Sequence, residues 1–459
     1  MFDIDIIETP SLGDRSYLLS DGIVAAVIDP QRDIDRILQV ATSRDVRISH
    51  VLETHLHNDY VSGGVELAAA TGAAYLLSAD DDVSFDRHPI RDGDVVTVGQ
   101  MRLRAIHTPG HTHHHLSYAL QNSDGDAEAV FTGGSLLYAS AGRTDLLGAE
   151  HTEALTHAQY RSVQRLAREL AGDTRVMPTH GFGSFCSATP TSGEESTIAE
   201  QRQVNPALSQ DEQAFVDELI AGLDAYPAYY AHMGALNSAT PNPVDLSMPA
   251  LVDSAELRTR IEAGQWVVDL RSRTAFAAGH LAGSLSFELS DNFIAYLGWL
   301  YPWGDALTLI GDTPEQILDA RRELVRIGVD RLDGAAIGDP TLDARAAHIR
   351  SYPVTDFAGL ATALADDQVH VLDTRRNDER AKSAIPDSQH IPLHELPGRL
   401  DEVPTTEEVW VHCGSGYRAA IAASLLDNGS RRLVHIDDDY AHAEQLGLAS
   451  PASDGAAAS

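Results

Sequence analysis

The second half of the chain repeats itself, and this repeat constrains the fold more than any other feature. The segment WVVDLRSRTAFAAGHLAGSLSF at 266–287 aligns with HVLDTRRNDERAKSAIPDSQHI at 370–391, at a constant offset of 104 residues. In each copy an apolar strand ends in Asp and Arg, a helical stretch follows, and a short turn leads to the next strand. This is the order of a parallel α/β sheet. We therefore predict two homologous domains, at 246–350 and 351–459.

The first half of the chain has a different organisation. It alternates short β-rich runs, such as SYLLSDGIVAAVIDP and ISHVLETH, with helical stretches such as DIDRILQVATSR. This alternation is typical of α/β domains. The proline-containing segment ALNSATPNPVDLSMPAL then lacks periodic apolar spacing, and we interpret it as a linker with a boundary near residue 245. The prediction is an α/β multidomain protein with a first domain at 1–245.

Net charge narrows the classes of partner. The chain has 33 Lys and Arg residues against 68 Asp and Glu residues, a formal net charge of −35. This field repels phosphate backbones and anionic lipid surfaces, so neither nucleic acid nor a membrane is an expected partner. The sequence also has no apolar run near the ~18 residues that a membrane span requires, and its start lacks the features of a secretory signal. The expected location is cytoplasmic.

Histidines follow several of the predicted strands in the first half. His55 and His57 come directly after an apolar strand, His111 lies in HTPGHTHHH, and His180 lies in MPTHG. Loops at one edge of a sheet can bring such histidines together around a divalent metal. The alternative is that they are ordinary residues in a chain with 21 histidines. We favour metal binding for His55, His57 and His111. Of the run 113–115, at most one side chain can face inward.

The segments THLHNDY, HTPGHT, FTGGSLLYASAGRTDLLG and MPTHG, in this order and spacing, resemble the metallo-β-lactamase fold. The similarity is greatest to its persulfide dioxygenase and glyoxalase II branch. The resemblance implies a four-layer αββα sandwich with a metal site at the edge of two sheets. It also implies that an HxHxDH motif, the TPGHT histidine, a TGD carboxylate and a late histidine bind one or two metal ions.

Two residues depart from the family pattern. Tyr60 stands where the motif has its last histidine, and Gly134 stands where the TGD aspartate would be. The second metal position then keeps only Asp59 and His180, which argues against a two-metal hydrolase of the glyoxalase II type. The first position keeps three histidines, namely His55, His57 and His111.

The resemblance therefore implies one divalent metal, with iron favoured and zinc as the alternative. Because Gly134 replaces a carboxylate ligand, the site is either a three-histidine centre or a degenerate one with weak metal affinity. Restoring the carboxylate with Gly134→Asp is expected to tighten metal binding. Arg143 and Asp145 fit the family pattern in GRTDLLG, where Arg143 acts as a substrate anchor, supports the metal site, or forms an internal salt bridge.

A cysteine loop lies in the last domain. The segment VWVHCGSGYRAAIAASLL predicts a buried strand, a loop from Cys413 to Arg418, and a helix. Glycines let the backbone N–H groups of such a loop converge on the sulfur, and a helix N-terminus adds positive charge. We expect this setting to lower the thiol pKa and to stabilise a persulfide. The alternative is a buried structural cysteine.

The CxxGxR loop, with LDTR upstream, resembles the active rhodanese family over about residues 351–445. The resemblance implies that Cys413 is the nucleophile and that Arg418 orients an anionic donor. It also implies that the intervening loop binds the sulfur donor through four residues, Gly414, Ser415, Gly416 and Tyr417. Cysteine-dependent phosphatases have five residues between Cys and Arg, so the loop length argues against them.

The remaining features are less distinctive. At the equivalent strand the first repeat has Gly311 and Asp312 in place of a cysteine, and Thr313 and Pro314 then fit an ordinary helix start. We interpret it as an inactive rhodanese-like domain that is kept for packing or for positioning its neighbours. Cys186 lines the metal pocket, receives sulfur, or is a small buried hydrophobe, and the sequence favours the last interpretation.

These patterns together predict a sulfur-metabolism enzyme. In it, a persulfide dioxygenase-like domain is joined to a rhodanese that acts through a Cys413 persulfide. The expected substrates are a low-molecular-weight thiol persulfide or thiosulfate. The first alternative is a sulfurtransferase or sulfur-carrier protein whose metal domain does not oxidise. The second is a metal-dependent thioester hydrolase. Homo-oligomer formation is left open.

Overall fold

A computed structural model describes residues 2–122, 124–189, 191, 193–342, 348–366 and 369–451. The chain forms two compact units. The first comprises Met1–Asp245 and Arg322–Asp330, and the second comprises Leu246–Arg321 and Arg331–Ser459. The finer division into domains at 1–245, 246–350 and 351–459 stays a prediction. Within the described ranges, no helix has the length and apolar character that a membrane crossing requires.

The strands of the first unit form two mixed sheets, each ordered as in the chain. The first sheet pairs its initial strands antiparallel and the others parallel, whereas the second is antiparallel except for its last strand. The first sheet consists of β1 (Asp3–Thr9), β2 (Asp14–Ser20), β3 (Val24–Ile28), β4 (Arg47–Leu52), β5 (Ala74–Ser78) and β6 (His88–Ile90). The second consists of β7 (Val95–Val98), β8 (Met101–His107), β9 (Leu116–Gln121), β10 (Ala127–Gly133) and β11 (Arg175–Pro178).

Helices cover the outer face of each sheet. The helices of this unit are α1 (Asp35–Ser43), α2 (Gly64–Thr71), α3 (Ala149–Glu169), α4 (Ile198–Val204), α5 (Pro206–Ser209), α6 (Glu212–Ala221) and α7 (Tyr230–Ser238). The buried positions of α3 recur every three to four residues, the spacing of one helix face.

Three apolar clusters join these elements into layers. Leu52 and Phe131 belong to the cluster between the two sheets. Ile37 joins α1 to the first sheet, while Val163 and Phe215 join α3 and α6 to the second. Because burial of these side chains is the main favourable contribution to folding, the clusters fix the order helix, sheet, sheet, helix. The predicted αββα sandwich is confirmed.

The second unit contains one parallel sheet of four strands and one of five. Four strands follow the same order in both sheets, as the repeat predicts, and the second sheet has one additional edge strand. The first copy consists of α8 (Ser254–Glu262), β12 (Trp266–Asp269), α9 (Arg273–Ala278), β13 (His280–Leu281), β14 (Leu285–Ser286), α10 (Phe293–Leu300), β15 (Leu307–Gly311), α11 (Pro314–Arg326), β16 (Gly334–Ile337) and β17 (Ile349–Arg350). The second consists of β18 (Val354–Thr355), α12 (Phe357–Asp366), β19 (His370–Asp373), α13 (Asn377–Lys382), β20 (Ser383–Ala384), β21 (Gln389–His390), β22 (Glu408–His412), α14 (Tyr417–Leu426), β23 (Arg432–Ile436), α15 (Tyr440–Gln445) and β24 (Ser450–Pro451).

The repeat extends to individual ion pairs. Asp269 accepts hydrogen bonds from the Arg271 guanidinium at the end of β12, and Asp373 accepts them from Arg375 at the end of β19. Both aspartates are fully buried. Each pair therefore holds the start of the following turn in the same way, 104 positions apart.

Candidate functional sites

Four buried histidines lie beyond the carboxyl ends of strands in the first unit. His55 and His57 follow β4, His111 follows β8, and His180 follows β11. All four side chains are essentially inaccessible to solvent. The His55 ring centroid lies 4.1 Å from that of His57, 4.9 Å from that of His111 and 5.4 Å from that of His180. The loops therefore bring distant parts of the sequence into one cluster.

Hydrogen bonds hold one nitrogen of each predicted ligand, and in His57 and His111 they leave the other nitrogen uncommitted. His55 Nδ1 donates to Thr54 Oγ1 at 2.8 Å, and His111 Nδ1 donates to the Arg143 carbonyl at 2.7 Å. His57 Nε2 donates to a Glu53 carboxylate oxygen at 3.2 Å. Among the described residues, His57 Nδ1 and His111 Nε2 are buried without a partner. Such orphaned nitrogens on oriented rings are the arrangement of metal-ligating histidines.

His180 completes this cluster. Its Nε2 lies 3.4 Å from Nε2 of His55, and its Nδ1 donates to Asp14 Oδ1 at 2.8 Å. Two nitrogens that are each about 2.1 Å from one tetrahedral ion lie about 3.4 Å apart. The ligand atoms of His55, His57 and His180 lie within 4.8 Å of one another. The donor set therefore fits a divalent transition metal. Among the described residues, the three-histidine group within this distance contains His180, which sequence reasoning ranked below His111.

Three carboxylates that sequence reasoning missed surround the cluster. Asp29 and Glu53 each follow a strand directly, and Asp14 begins β2. Burial raises the pKa of Glu53 to about 7 and, together with Asp59, raises that of Asp14 to about 7. Burial lowers the pKa of His57, but Asp29 and Glu53 outweigh it and raise that pKa to about 9. The only signal in the sequence was that Asp29 and Glu53 each end an apolar run, and Asp14 had no such signal.

The other two predicted ligands are electrostatically different from His57. Burial and neighbouring rings lower the pKa of His55 well below its usual range, and that of His111 to about 3. Both imidazoles are therefore neutral at physiological pH, which is the form that binds metals.

The two departures from the family pattern occupy defined places. Tyr60 is fully buried, and its ring stacks on His57 with centroids 4.2 Å apart. Its hydroxyl lies 3.0 Å from His57 Nε2. A Cβ atom at Gly134 would lie only 2.2 Å from Cδ2 of the His111 ring. Because Gly134 has no side chain, the His111 ring can occupy the space beside it. A side chain at this position would displace the ring.

The structure places the remaining candidates of this unit outside the ligand set. His113 and His114 are not fully buried, whereas His115 is buried and uses both nitrogens, donating to Thr108 and accepting from the Gly134 N–H. The Arg143 guanidinium forms a bidentate ion pair with Asp145 and is 4 % exposed. That geometry supports the internal salt bridge, and the Arg143 carbonyl, instead of its side chain, reaches the site.

Cys186 lies beside the histidines and is fully buried. Burial raises the pKa of its thiol well above the usual range, and the Asp59 carboxylate raises it further. Its sulfur is 3.8 Å from the Tyr230 hydroxyl. The site therefore includes this thiol, which the sequence favoured as a hydrophobe.

The second candidate site is the loop after β22. Cys413 follows this strand directly and is 1 % exposed, and α14 begins four residues later at Tyr417. Gly416 has a φ of +84°, and a Cβ there would lie 2.0 Å from Asp437. This tight turn requires glycine. His435 Nε2 donates to the Gly416 carbonyl at 2.9 Å, which fixes the loop against β23.

Arg418 is held by an ion pair. Both of its terminal nitrogens donate to the Glu379 carboxylate, one of them at 2.7 Å. Burial lowers the pKa of this guanidinium, but Glu379 outweighs it, so the pKa lies above its usual range. Of the other predicted loop residues, Ser415 is exposed and Gly414 is partly buried, whereas the buried Tyr417 donates to the Glu288 carbonyl at 2.9 Å. Tyr417 therefore packs inward.

Residues of the first repeat line the cavity beside this loop. Tyr296 and Trp299 of α10 form one wall, and Arg376, His394 and Arg418 of the second repeat form the other. The Trp299 ring stacks on that of His394 with centroids 5.2 Å apart. Sequence reasoning missed this wall, because an apolar aromatic helix has no local signal that distinguishes a cavity wall from core. At the predicted helix start of the first repeat, Thr313 caps α11 by accepting from the Gln316 N–H at 3.3 Å.

Comparisons with known proteins match the two regions of the chain that contain these candidate sites. Residues 15–180 match the metallo-beta-lactamase superfamily, and residues 357–442 match the rhodanese-like domain. The chain is 28% identical over 239 residues to the mitochondrial persulfide dioxygenase ETHE1 of Homo sapiens, covering 51% of this chain and 82% of that protein. It is 33% identical over 190 residues to a hydroxyacylglutathione hydrolase of Methylococcus capsulatus, covering 39% and 67% respectively. A solved metallo-beta-lactamase from Staphylococcus aureus has a TM-score of 0.66 and 27% identity, covering 74% of this chain and 99% of that chain.

Proposed function

Because the chain belongs to the metallo-β-lactamase superfamily and carries a C-terminal rhodanese-like domain, we propose that it is a bifunctional sulfur-metabolism enzyme. In this proposal the first unit oxidises a low-molecular-weight thiol persulfide to sulfite. The second unit transfers sulfane sulfur through a persulfide on Cys413. The observation that carries the proposal is that one chain holds both a buried cluster of oriented histidines and a glycine-rich cysteine loop.

The first reaction is balanced as RSSH + O₂ + H₂O → RSH + SO₃²⁻ + 2H⁺. A bound redox-active metal, with iron favoured, supplies the electron transfer that oxygen chemistry needs. His55, His57 and His111 are the proposed ligands, with Asp59 and His180 as further donors. Around them, Thr54, Glu53 and the Arg143 carbonyl orient the rings through hydrogen bonds. Orientation by such partners sets which nitrogen faces the metal.

The second reaction proceeds by two displacements at sulfur. The Cys413 thiolate attacks the outer sulfur of thiosulfate, the S–S bond breaks with its electron pair, and sulfite leaves. An acceptor thiolate then attacks the outer sulfur of the Cys413 persulfide and regenerates the Cys413 thiolate. In the proposal, the loop N–H groups of Gly414 to Tyr417 and the start of α14 stabilise the anionic persulfide, and Arg418 orients the donor.

Two alternatives make different predictions. A sulfurtransferase or sulfur carrier with a non-oxidising metal domain consumes no oxygen. A thioester hydrolase is favoured by the similarity to the hydroxyacylglutathione hydrolase, but Tyr60 and Gly134 replace two of its metal ligands in the family pattern. The physical link between the two proposed activities is that joining them in one chain raises the local concentration of each product at the other site.

The test uses three assays on the purified chain. They are oxygen uptake and sulfite formation on glutathione persulfide, thiocyanate formation from thiosulfate and cyanide, and hydrolysis of a glutathione thioester. We expect His111→Ala to abolish oxygen uptake and spare thiocyanate formation, and Cys413→Ser to do the reverse. Loss of both activities in each variant, or thioester hydrolysis without oxygen uptake by the wild type, contradicts the proposal.

A further inference from the structure

The surroundings of Cys186 are polar, which is unusual for a buried structural cysteine. Its sulfur and one ligand nitrogen each of His111 and His180 all lie within 4.8 Å of one another. The Asp59 carboxylate and the Tyr230 hydroxyl also border it. A cysteine that serves only as a small hydrophobe packs among apolar side chains. The neighbours of Cys186 are instead groups that bind metals or donate hydrogen bonds.

Two of these neighbours have uncommitted atoms. Among the described residues, His111 Nε2 and Asp59 Oδ1 are buried without a hydrogen-bond partner. His111 Nδ1 donates to the Arg143 carbonyl, so Nε2 carries the ring's lone pair. A buried acceptor without a partner is costly unless a cation or a donor occupies the space that it faces.

One residue fixes the position of both His111 and Cys186. The Arg143 N–H donates to the Cys186 carbonyl at 2.8 Å, and the Arg143 carbonyl accepts from His111 at 2.7 Å. A further hydrogen bond, from the Ala188 N–H to the Ala141 carbonyl at 3.0 Å, continues this pairing of the two loops. Because Arg143 is hydrogen-bonded to the His111 ring and to the Cys186 backbone, the fold sets the distance between these two side chains.

We propose that Cys186 binds the metal together with His111 and His180. Its thiolate supplies the anionic donor that Gly134 cannot provide. The proposal rests on the metal centre of the proposed function and extends it to the ligand set. On binding, a metal–sulfur bond replaces the S–H bond, and the thiol proton is released to solvent. A thiolate donor favours transition metals over Mg²⁺ and Ca²⁺, which prefer oxygen ligands.

The test uses the fact that the chain has only two cysteines. Cobalt(II) is titrated into metal-free wild type, Cys186→Ser and Cys413→Ser, and the near-ultraviolet thiolate-to-cobalt charge-transfer band and the visible ligand-field bands are recorded. We expect the charge-transfer band in wild type and in Cys413→Ser. We expect its loss in Cys186→Ser, with at least about tenfold weaker cobalt binding.

The outcomes separate the two proposals. Ligand-field bands without a charge-transfer band in the wild type overturn Cys186 ligation and leave the metal centre standing. No cobalt binding at all overturns the metal centre itself. If Cys186→Ser does not fold, X-ray absorption of zinc-loaded Cys413→Ser decides, because Cys186 is then the sole thiol. A sulfur neighbour at about 2.3 Å from zinc supports the proposal, and a shell of nitrogen and oxygen alone overturns it.

Discussion

Gly134 gives the sharpest mutational test of the histidine cluster. A Cβ at this position would lie 2.2 Å from His111 Cδ2 and 2.7 Å from His111 Nε2, whereas ordinary contacts begin at 3.4 Å. The backbone at Gly134 does not have a positive φ, so the space beside it is the only obstacle to Gly134→Ala. The His111 ring therefore has to retreat by about 1.2 Å to restore ordinary contact.

A displacement of this size is large for a metal ligand. Metal–nitrogen distances tolerate deviations of about 0.2 Å, so the shift removes His111 from the ligand set. We expect Gly134→Ala to weaken metal binding by about 100-fold, at the upper end of the cost of disturbing a ligand's supports. We expect overpacking to lower the free energy of unfolding by about 1–3 kcal/mol. The same clash reverses the expectation for Gly134→Asp, which should weaken metal binding.

The assay is competition for zinc against a chromophoric chelator, with circular dichroism as a check of folding. Gly234→Ala is the matched control, because Gly234 lies in α7 of the same unit and a Cβ there meets nothing within 4 Å. That variant should bind zinc as the wild type does. If Gly134→Ala is folded and binds zinc with wild-type affinity, His111 is not a ligand and the reasoning is refuted.

Three further predictions concern the second unit. Arg418→Ala should raise KM for thiosulfate and lower the free energy of unfolding by about 1–3 kcal/mol. Glu379→Gln should lower the free energy of unfolding without raising KM. Equal effects of the two variants on KM in steady-state kinetics would contradict donor orientation by Arg418. Burial raises the pKa of Asp373, but His412, whose own lowered pKa of about 4 leaves it charged only in acid, and the ion pair with Arg375 outweigh burial and hold the pKa of Asp373 below its usual range. The stabilisation is therefore complete above the ordinary carboxyl pKa and is lost as pH falls through the folded-state pKa. Asp373→Asn should therefore cost about 3–5 kcal/mol in urea unfolding at pH 7, and the difference from wild type should shrink below pH ~4; a constant difference would show that charge is not the cause. Asp312→Cys should produce no thiocyanate in a Cys413→Ser background, because the first repeat lacks both the loop and the arginine.

The architecture could be predicted because it depends on local patterns. Strand and helix periodicity indicated an α/β domain, and the resemblance to the metallo-β-lactamase fold implied the sandwich. The offset of 104 residues indicated the two related sheets, which share even the Asp269 and Asp373 ion pairs. The histidines could be placed at one edge because His55, His57 and His111 each follow a strand. Periodicity and strand ends are properties of neighbouring residues, so a sequence shows them directly.

The details that control the site depend on distant contacts. Asp14 reaches His180 across 166 positions, and Gly134 faces His111 from a different loop. The sequence indicated which ligand the family has at Gly134, but not that the His111 ring occupies the space. Tyr296 and Trp299 likewise line a cavity with residues about 80 to 120 positions away. Packing between loops decides these features, and packing has no local signature.

The central claim is that the buried histidines hold a metal. The most direct measurement is the metal content of the chain, purified without added metal, by inductively coupled plasma mass spectrometry. We predict about one transition-metal ion per chain in the wild type and in Cys413→Ser, and little metal in folded His111→Ala. A metal-free wild type, or full metal content in His111→Ala, would contradict the account.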